Sequence, residues 1–279
     1  MQKNSKKTAV IGDPINHSIS PTIHNHWLSK YQIDSSYQAI NVKAENLEEF
    51  IKKLSKENFI GINITIPHKE TAYEIIKKIG RLSNIAQKIK AINTIKILDD
   101  DSLYGDNTDA YGFVASIKEQ LGEDYSLQGK KALLIGAGGA ARALAFALDS
   151  EQIDKLTIMN RNLEKAKDLA NEVQISTDYK RLVDLKELEL QYDLIINSTS
   201  LGLNNENNLE VDFNKITTKA VIYDIVYKPI LTKLLKDAKA NDNETINGLP
   251  MLIHQAAKSF ELWFGILPEI DKDLLEKVT

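Results

Sequence analysis

The stretch from Leu133 to Ala143, LLIGAGGAARA, restricts what this chain can fold into more than any other segment. An apolar run meets a cluster of glycines and passes into an alanine-rich stretch, the pattern of a strand, a tight turn and a helix. Gly136, Gly138 and Ala141 occupy the three small positions of a G-x-G-x-x-G/A fingerprint. The first glycine allows the turn, the second lets a pyrophosphate approach the backbone, and the alanine keeps helix against strand. The helix N-terminus adds amide donors and the positive end of its dipole. In this setting the fingerprint predicts a bound dinucleotide held by Gly136, Ala137, Gly138, Gly139 and Ala140.

The next strand selects which dinucleotide. A site for NAD places a carboxylate at the end of that strand, roughly 20 residues past the first glycine, where it holds the ribose 2'-hydroxyl. Here the strand KLTIMN ends in Asn160 and Arg161, and Lys165 follows one turn later. A guanidinium and an ammonium in place of a carboxylate favour a 2'-phosphate, and therefore NADP.

The rest of the chain shows the same alternation. TAVIG from Thr8, YQAINV from Tyr37 and FIGINITI from Phe59 are short strand-like runs separated by amphipathic segments, the rhythm of a mostly parallel sheet covered by helices. The predicted fold class is α/β. AINTIKIL and SLYG flank the acidic turn Asp99, Asp100, Asp101, which predicts an antiparallel hairpin on the edge of the first sheet. A second rhythm starts at Lys130 and runs through the glycine turn, KLTIMN, YDLIINSTS and AVIYDIVY as a Rossmann-like unit. NGLPMLIHQAAKSFELWFG reads as a long helix capped by Asn247 and stopped by Gly265, with a short helix opened by Pro268 after it. Both helices are expected to return to the first half. The expected division is a substrate-binding catalytic domain from residues 1–109 and 247–279 and an NADP-binding domain from residues 110–246, with a cleft between them that closes on its ligands.

One strand ends in an unusual way. In GINITIPHKE, Asn63 and Thr65 alternate with Ile62, Ile64 and Ile66, so one face is apolar and the other polar. Pro67 ends the strand, and Lys69 then stands at its carboxyl end, where open α/β sheets bind ligands. His68 beside it is assigned to the pocket rim or the plain surface. Ser18 and Ser20 lie in HSIS before Pro21, and Ser20 is the expected cap of the helix that Pro21 opens. Trp27, Leu28 and Tyr31 follow helical spacing and are expected in the core.

These pieces fall into a known order. GDPINHSISPTIHN (Gly12 to Asn25), NITIPHK (Asn63 to Lys69), AINT (Ala91 to Thr94) and GDNTD (Gly105 to Asp109) are followed by NRNLEKA, NSTSLG, YDIVYKPILTKLL and NGLPMLIHQA. The chain thereby resembles the shikimate dehydrogenases along nearly its whole length. The resemblance implies NADPH-dependent reduction of 3-dehydroshikimate to shikimate, with Lys69 and Asp109 as the catalytic pair. Reducing a ketone requires a proton on oxygen as well as hydride on carbon, and a cationic donor beside the carbonyl both polarises it and supplies that proton. By the same resemblance Ser18, Ser20 and Tyr227 hold the substrate carboxylate and Thr65, Asn93 and Gln255 its ring hydroxyls. Ser198, Thr199, Ile225 and Gly248 join the cofactor side. Many neutral donors and acceptors suit a polyhydroxy acid, because an analogue lacking one hydroxyl leaves a buried group unpaired.

Composition removes other classes. A formal charge of -4 argues against nucleic acid as a partner, and no run approaches the ~20 apolar residues that span a membrane. The TAVIG run near the basic start is too short for the apolar region of a signal peptide, so a cytoplasmic enzyme is expected, acting as monomer or homodimer. Zero cysteines excludes disulfides, a thiolate nucleophile and Cys-ligated metal. His17, His24 and His26 lack ligand spacing, so no metal is expected. Two other readings remain: a quinate/shikimate dehydrogenase using NAD, and a dinucleotide-binding sensor without catalysis.

Overall fold

Two sheets organise the chain. The computed structural model describes residues 6–279 apart from 188, 190, 217 and 218. Its backbone separates into two units, Met1–Gly112 with Ile253–Thr279, and Phe113–Leu252.

In the first unit the elements are β1 (Lys6–Gly12), α1 (Ser20–Lys30), β2 (Ser35–Asn41), α2 (Leu47–Lys53), β3 (Phe59–Ile64), α3 (Lys69–Ile79), β4 (Arg81–Leu82), α4 (Asn84–Ile89), β5 (Thr94–Ile97) and β6 (Leu103–Asp106). The sheet order is β2-β1-β3-β5-β6-β4. β1 runs parallel to β2 and β3, whereas β5 is antiparallel to both β3 and β6. The expected hairpin therefore forms, but it is not the edge. Arg81 and Leu82 of β4 pair outside it with Tyr104 and Gly105, a strand too short to leave an alternating pattern in the sequence. Ile11, Ile51, Ile62, Ile64, Ile76 and Ile95 belong to a buried apolar cluster around this sheet. Gly61 is the thin point of β3: a Cβ there would lie 2.2 Å from Trp263 Nε1, and the indole uses the space to donate to the Ile95 carbonyl at 3.0 Å.

α5 (Asp109–Leu121) leads into the second unit, which holds β7 (Lys131–Ile135), α6 (Gly139–Ser150), β8 (Lys155–Asn160), α7 (Leu163–Glu172), β9 (Ser176–Arg181), β10 (Leu194–Asn197), β11 (Val221–Asp224), α8 (Lys233–Ala240) and β12 (Thr245–Ile246). α9 (Gly248–Phe264) carries the chain back into the first unit, and α10 (Lys272–Val278) ends it. The second sheet has the order β12-β11-β10-β7-β8-β9 with every pairing parallel. Counted from β7, that is the doubly wound order 3-2-1-4-5-6. Its central strands are buried on both faces, which is why LLI and LII are unbroken apolar runs.

Several helix ends differ from expectation. Ser20 is the first residue of α1, with Ile19 at the cap position and no side-chain cap bond. The serine hydroxyl that turns back there belongs to Ser18, which accepts from the Ser20 N–H at 3.3 Å. α10 is opened by Asp271, whose carboxylate accepts from the Leu274 N–H at 2.8 Å, and not by Pro268. A carboxylate satisfies an orphan amide and the helix dipole together, whereas proline only removes a donor. Asn247 does meet α9, accepting from the Leu249 N–H at 2.9 Å, and Gly265 follows the helix with φ of 71°. Trp27 and Leu28 are core, but Tyr31 is only half-buried and accepts from the Glu269 N–H at 3.0 Å. Among the described residues no helix is long and apolar enough to cross a membrane.

Candidate active site

β3 ends at Ile64, and a turn through Thr65 delivers Lys69 as the first residue of α3. The alternation expected through Ile66 stops with the strand, and Ile66 is 64% exposed. His68 is neither rim nor surface: it is buried, with Nε2 2.6 Å from the Val42 carbonyl oxygen, and so ties the turn to the chain after β2. The other face of the site comes from the hairpin. Because β5 is antiparallel to β3, its start, Thr94, pairs with Asn63, and the end of β6, Asp106, pairs with Thr94 in turn. The AINT and GDNTD segments thus both arrive at the carboxyl end of β3.

There Lys69 Nζ lies 2.6 Å from Asp109 Oδ2, with the two side chains 14% and 6% exposed. A lysine in the first turn of a helix faces the unfavourable end of the dipole, while Asp109, the first residue of α5, occupies the favourable end of its own. Further hydrogen bonds offset the desolvation of such a pair, and here they are made on the Asp109 side. Asp109 Oδ1 accepts from Asn93 Nδ2 at 2.9 Å, and the Asp109 N–H donates to Asn107 Oδ1 at 3.0 Å. The Asn93 amide also donates toward Thr108 Oγ1 at 2.9 Å and Gln255 Oε1 at 3.2 Å. Its two N–H groups are fully engaged, so contact with a ring hydroxyl would require giving up one of these partners.

Behind this layer stands a second one that the sequence reading missed. Ser259 Oγ is 2.9 Å from Asn63 Nδ2, 2.8 Å from Thr94 Oγ1 and 3.2 Å from Thr108 Oγ1, and donates to the Gln255 carbonyl at 3.0 Å. Tyr37 donates through its hydroxyl to Asn63 Oδ1 at 2.8 Å. The available signal was a polar residue inside an apolar run, Asn63 in β3 and Ser259 one turn after Gln255 in α9.

Ser18 is half-buried and Ser20 buried in the loop and helix after β1. Ser20 lies beside Tyr37, whose phenol burial holds well above its ordinary range, with Ser20 as the smaller opposing influence. Thr65 donates its N–H to the Ile11 carbonyl at 2.9 Å, so it too sits where β1 and β3 end. The three candidate histidines do not converge. His17 is exposed, and His26 Nε2 faces Asp271 at 3.0 Å. His24 is buried against Tyr37 with ring centroids 4.1 Å apart, and among the described residues neither of its nitrogens has a hydrogen-bond partner. Burial pushes its pKa down to about 3, opposed in part by nearby Asn63. Among the described residues no group of three or more His, Asp or Glu side chains is placed to hold a metal ion.

In the second unit, β7 and β10 flank the point where strand order reverses, the place where such sheets bind ligands. Gly136 follows β7 with φ of 122°, and a Cβ there would meet Ser198 Oγ at 2.4 Å. Gly138 caps α6, and among the described residues no atom lies within 4 Å of where its side chain would be, so the amide end of a 12-residue helix is open to a pyrophosphate. Ser198 spends its hydroxyl on the Ile135 carbonyl at 2.7 Å. Thr199 donates through N–H and Oγ1 to Asn197 Oδ1 at 3.1 and 2.7 Å. Asn197 Nδ2 donates to Asp224 Oδ1 at 2.9 Å, and Asp224 also accepts from the Val226 N–H at 3.0 Å and Thr232 Oγ1 at 2.7 Å. Burial raises the Asp224 carboxyl to about 6, against the pull of these donors. Ile225 donates to the Asn197 carbonyl at 3.0 Å and Gly248 to the Val226 carbonyl at 3.2 Å, which gathers the two residues around the same loop. Asn160 donates to the Asn162 carbonyl at 3.0 Å, while Arg161 and Lys165 are exposed. Tyr227 is half-buried in this unit, apart in the chain from the other substrate candidates, and burial raises its phenol.

A parallel sheet of this order with a glycine turn at its switch point, in a chain whose other unit holds a part-buried lysine–aspartate pair, defines a dinucleotide-dependent oxidoreductase. Residues 10–95 match the Shikimate dehydrogenase substrate binding domain, 116–229 Shikimate / quinate 5-dehydrogenase, and 248–273 the Shikimate 5'-dehydrogenase C-terminal domain. The chain belongs to the shikimate dehydrogenase family. It is 39% identical to the NADP(+) shikimate dehydrogenase of Bartonella henselae, over 98% of this chain and 92% of that one. The shikimate 5-dehydrogenase of Thermus thermophilus in complex with NADP(H) and shikimate superposes with a TM-score of 0.84 at 34% identity, covering 98% of each chain. A quinate dehydrogenase from Corynebacterium glutamicum in complex with NAD superposes with a TM-score of 0.87 at 26% identity, also over 98% of each.

Proposed function

We propose that this chain catalyses the reversible NADPH-dependent reduction of 3-dehydroshikimate to shikimate, a step in the shikimate pathway of aromatic amino-acid biosynthesis. The observation that carries the reading is the part-buried contact of 2.6 Å between Lys69 Nζ and Asp109 Oδ2, with Asn93 on the other carboxylate oxygen. The reduced nicotinamide, when bound, supplies hydride to the substrate's carbonyl carbon. Lys69 polarises that carbonyl and gives its proton to the oxygen; in the oxidation direction it takes the proton back. Asp109 fixes Nζ and accepts from a neighbouring substrate hydroxyl. Ser18, Ser20 and Tyr227 hold the carboxylate with neutral donors, and Thr65, Asn93 and Gln255 address the ring hydroxyls.

The open amide end of α6 at Gly138 and the exposed Arg161 fit a dinucleotide bearing a 2'-phosphate. Gly136, Ala137, Gly138, Gly139 and Ala140 would hold the pyrophosphate, Asn160, Arg161 and Lys165 the phosphorylated ribose, and Ser198, Thr199, Ile225 and Gly248 the nicotinamide end. In this reading residues 1–109 and 247–279 bind substrate and residues 110–246 bind NADP. The proposed active form is a cytoplasmic monomer or homodimer that draws on the cell's NADPH.

The likeness to a quinate dehydrogenase favours a second reading, quinate oxidation with NAD. Asn160 and Arg161, with no carboxylate at the end of β8, speak against it. Initial rates of nicotinamide reduction with shikimate or quinate and NADP or NAD separate the two. The proposal expects shikimate with NADP to be fastest. Preference for quinate and NAD overturns it in favour of the second reading, and binding of NADP without turnover of either acid overturns both in favour of a sensor.

A further inference from the structure

A cation that the glycine turn and the end of β8 leave unexplained stands on the neighbouring strand. β9 pairs in parallel with β8, with Met159 opposite Lys180 and Asn160 opposite Arg181. Partners on adjacent parallel strands project from the same face of a sheet and successive residues from opposite faces, with strands about 4.8 Å apart. Arg181 therefore shares its face with Asn160, the residue that takes the ribose-reading position, while Lys180 points away. Arg161, Lys165 and Arg181 are all exposed. In the same unit Lys155 pairs with Asp178 at 2.7 Å and Arg142 with Glu172 at 2.6 Å. Among the described residues no carboxylate pairs with Arg161, Lys165 or Arg181. Three unneutralised cations around one strand end repel one another, and that arrangement suits an anion set between them.

We infer that Arg181 is the third cation of the 2'-phosphate site and a determinant of the preference for NADP over NAD. The inference rests on the proposed use of NADP and deepens it. Arg161 and Lys165 approach the phosphate from the start of α7, and Arg181 approaches it from the flank of β9, so the charge is held from two elements. A guanidinium there offers parallel donors to the phosphate oxygens.

Calorimetric titration of the whole chain with NADP+, NAD+, 2',5'-ADP and 5'-AMP tests this, comparing wild type with Arg181→Ala, Arg181→Gln and Arg181→Lys, each checked for folding by circular dichroism. The expected result is about tenfold weaker binding of NADP+ and 2',5'-ADP in the alanine and glutamine variants, the size of one exposed charge-assisted hydrogen bond. NAD+ and 5'-AMP should change by less than about twofold, and Arg181→Lys should recover part of the loss. Unchanged NADP+ affinity overturns the inference, as does an equal loss for NADP+ and NAD+, which would mark Arg181 as a contact to the adenosine common to both. A wild-type chain that binds NAD+ as tightly as NADP+ sinks the NADP reading itself, before any variant is made, and the role of Arg181 with it.

Discussion

Each unit contains an asparagine that donates Nδ2 to the Oδ1 of a buried aspartate at 2.9 Å: Asn93 to Asp109 in the first, Asn197 to Asp224 in the second. The second oxygens differ. Asp109 Oδ2 faces the Lys69 ammonium at 2.6 Å, whereas Asp224 Oδ2 accepts from the Thr232 hydroxyl at 2.7 Å. A carboxylate held against an ammonium suits the proton transfer proposed for it. A carboxylate given only neutral donors is arranged to hold loops, here the segment after β10, the turn after β11 and the start of α8. Burial raises the Asp224 carboxyl to about 6, as expected where no cation opposes desolvation. The same local motif thus stands in two electrostatic settings, and the partner on the second oxygen sets which.

The sharpest way to break the comparison is to remove the cation. Lys69→Ala should lower kcat for shikimate oxidation by about a thousandfold, within the range of lost general acid–base catalysis, in a protein that still folds. Near-normal turnover would remove Lys69 from the chemistry.

A second test uses pH. The folded-state pKa of Asp224, about 6, lies above the ordinary carboxylate value of about 3.9. Between those values the unfolded chain releases the proton and the folded chain keeps it. The contribution is thus fully present below about pH 4 and is lost as pH rises through 6, by about 3 kcal/mol at most. Asp224→Asn keeps three possible hydrogen-bond contacts and cannot titrate, so its melting temperature relative to wild type should rise from pH 4 to pH 7. Parallel curves would refute the assignment.

The matched substitution Asp109→Asn should lower kcat by about a hundredfold, because Nζ loses its anionic partner. Asp224→Asn should act on kcat far less and on the KM for NADP more. Equal effects of the two on kcat would erase the distinction.

The smallest effect concerns the layer behind the pair. Ser259→Ala leaves Asn63, Thr94 and Thr108 each short of one contact and should cost about 1–3 kcal/mol in thermal or denaturant unfolding. A loss below about 0.5 kcal/mol would show that the network closes without it.

Legibility differed between the units for physical reasons. In the second, the glycine turn was readable because strand, turn and helix are neighbours along the chain and each small residue has a local mechanical task. β9 was not, since STDYKR is a polar edge strand without an apolar alternation, and the register that sets Arg181 opposite Asn160 was hidden with it. In the first unit the strand ending near Lys69 could be seen, but the sequence assigns His68 to the pocket rim or the surface, because nothing within a few residues announces the Val42 carbonyl 26 positions away. Ser20 and Pro268 misled for a related reason: several residues compete to open a helix, and the winner is whichever reaches an orphan amide in the folded chain.

What the amino-acid order determined alone was the alternation of elements, the glycine turn, the lack of a carboxylate after β8 and the polar face of β3. These follow from period, propensity and the absence of a Cβ, all properties of neighbouring residues. Only the tertiary structure decided that Asn93 meets Gln255 and that Ser259 meets Asn63, 162 and 196 positions apart. It also decided that Arg181 stands opposite Asn160. Such meetings depend on strand register and on where a returning helix packs, and those are set by burying the whole apolar surface at once.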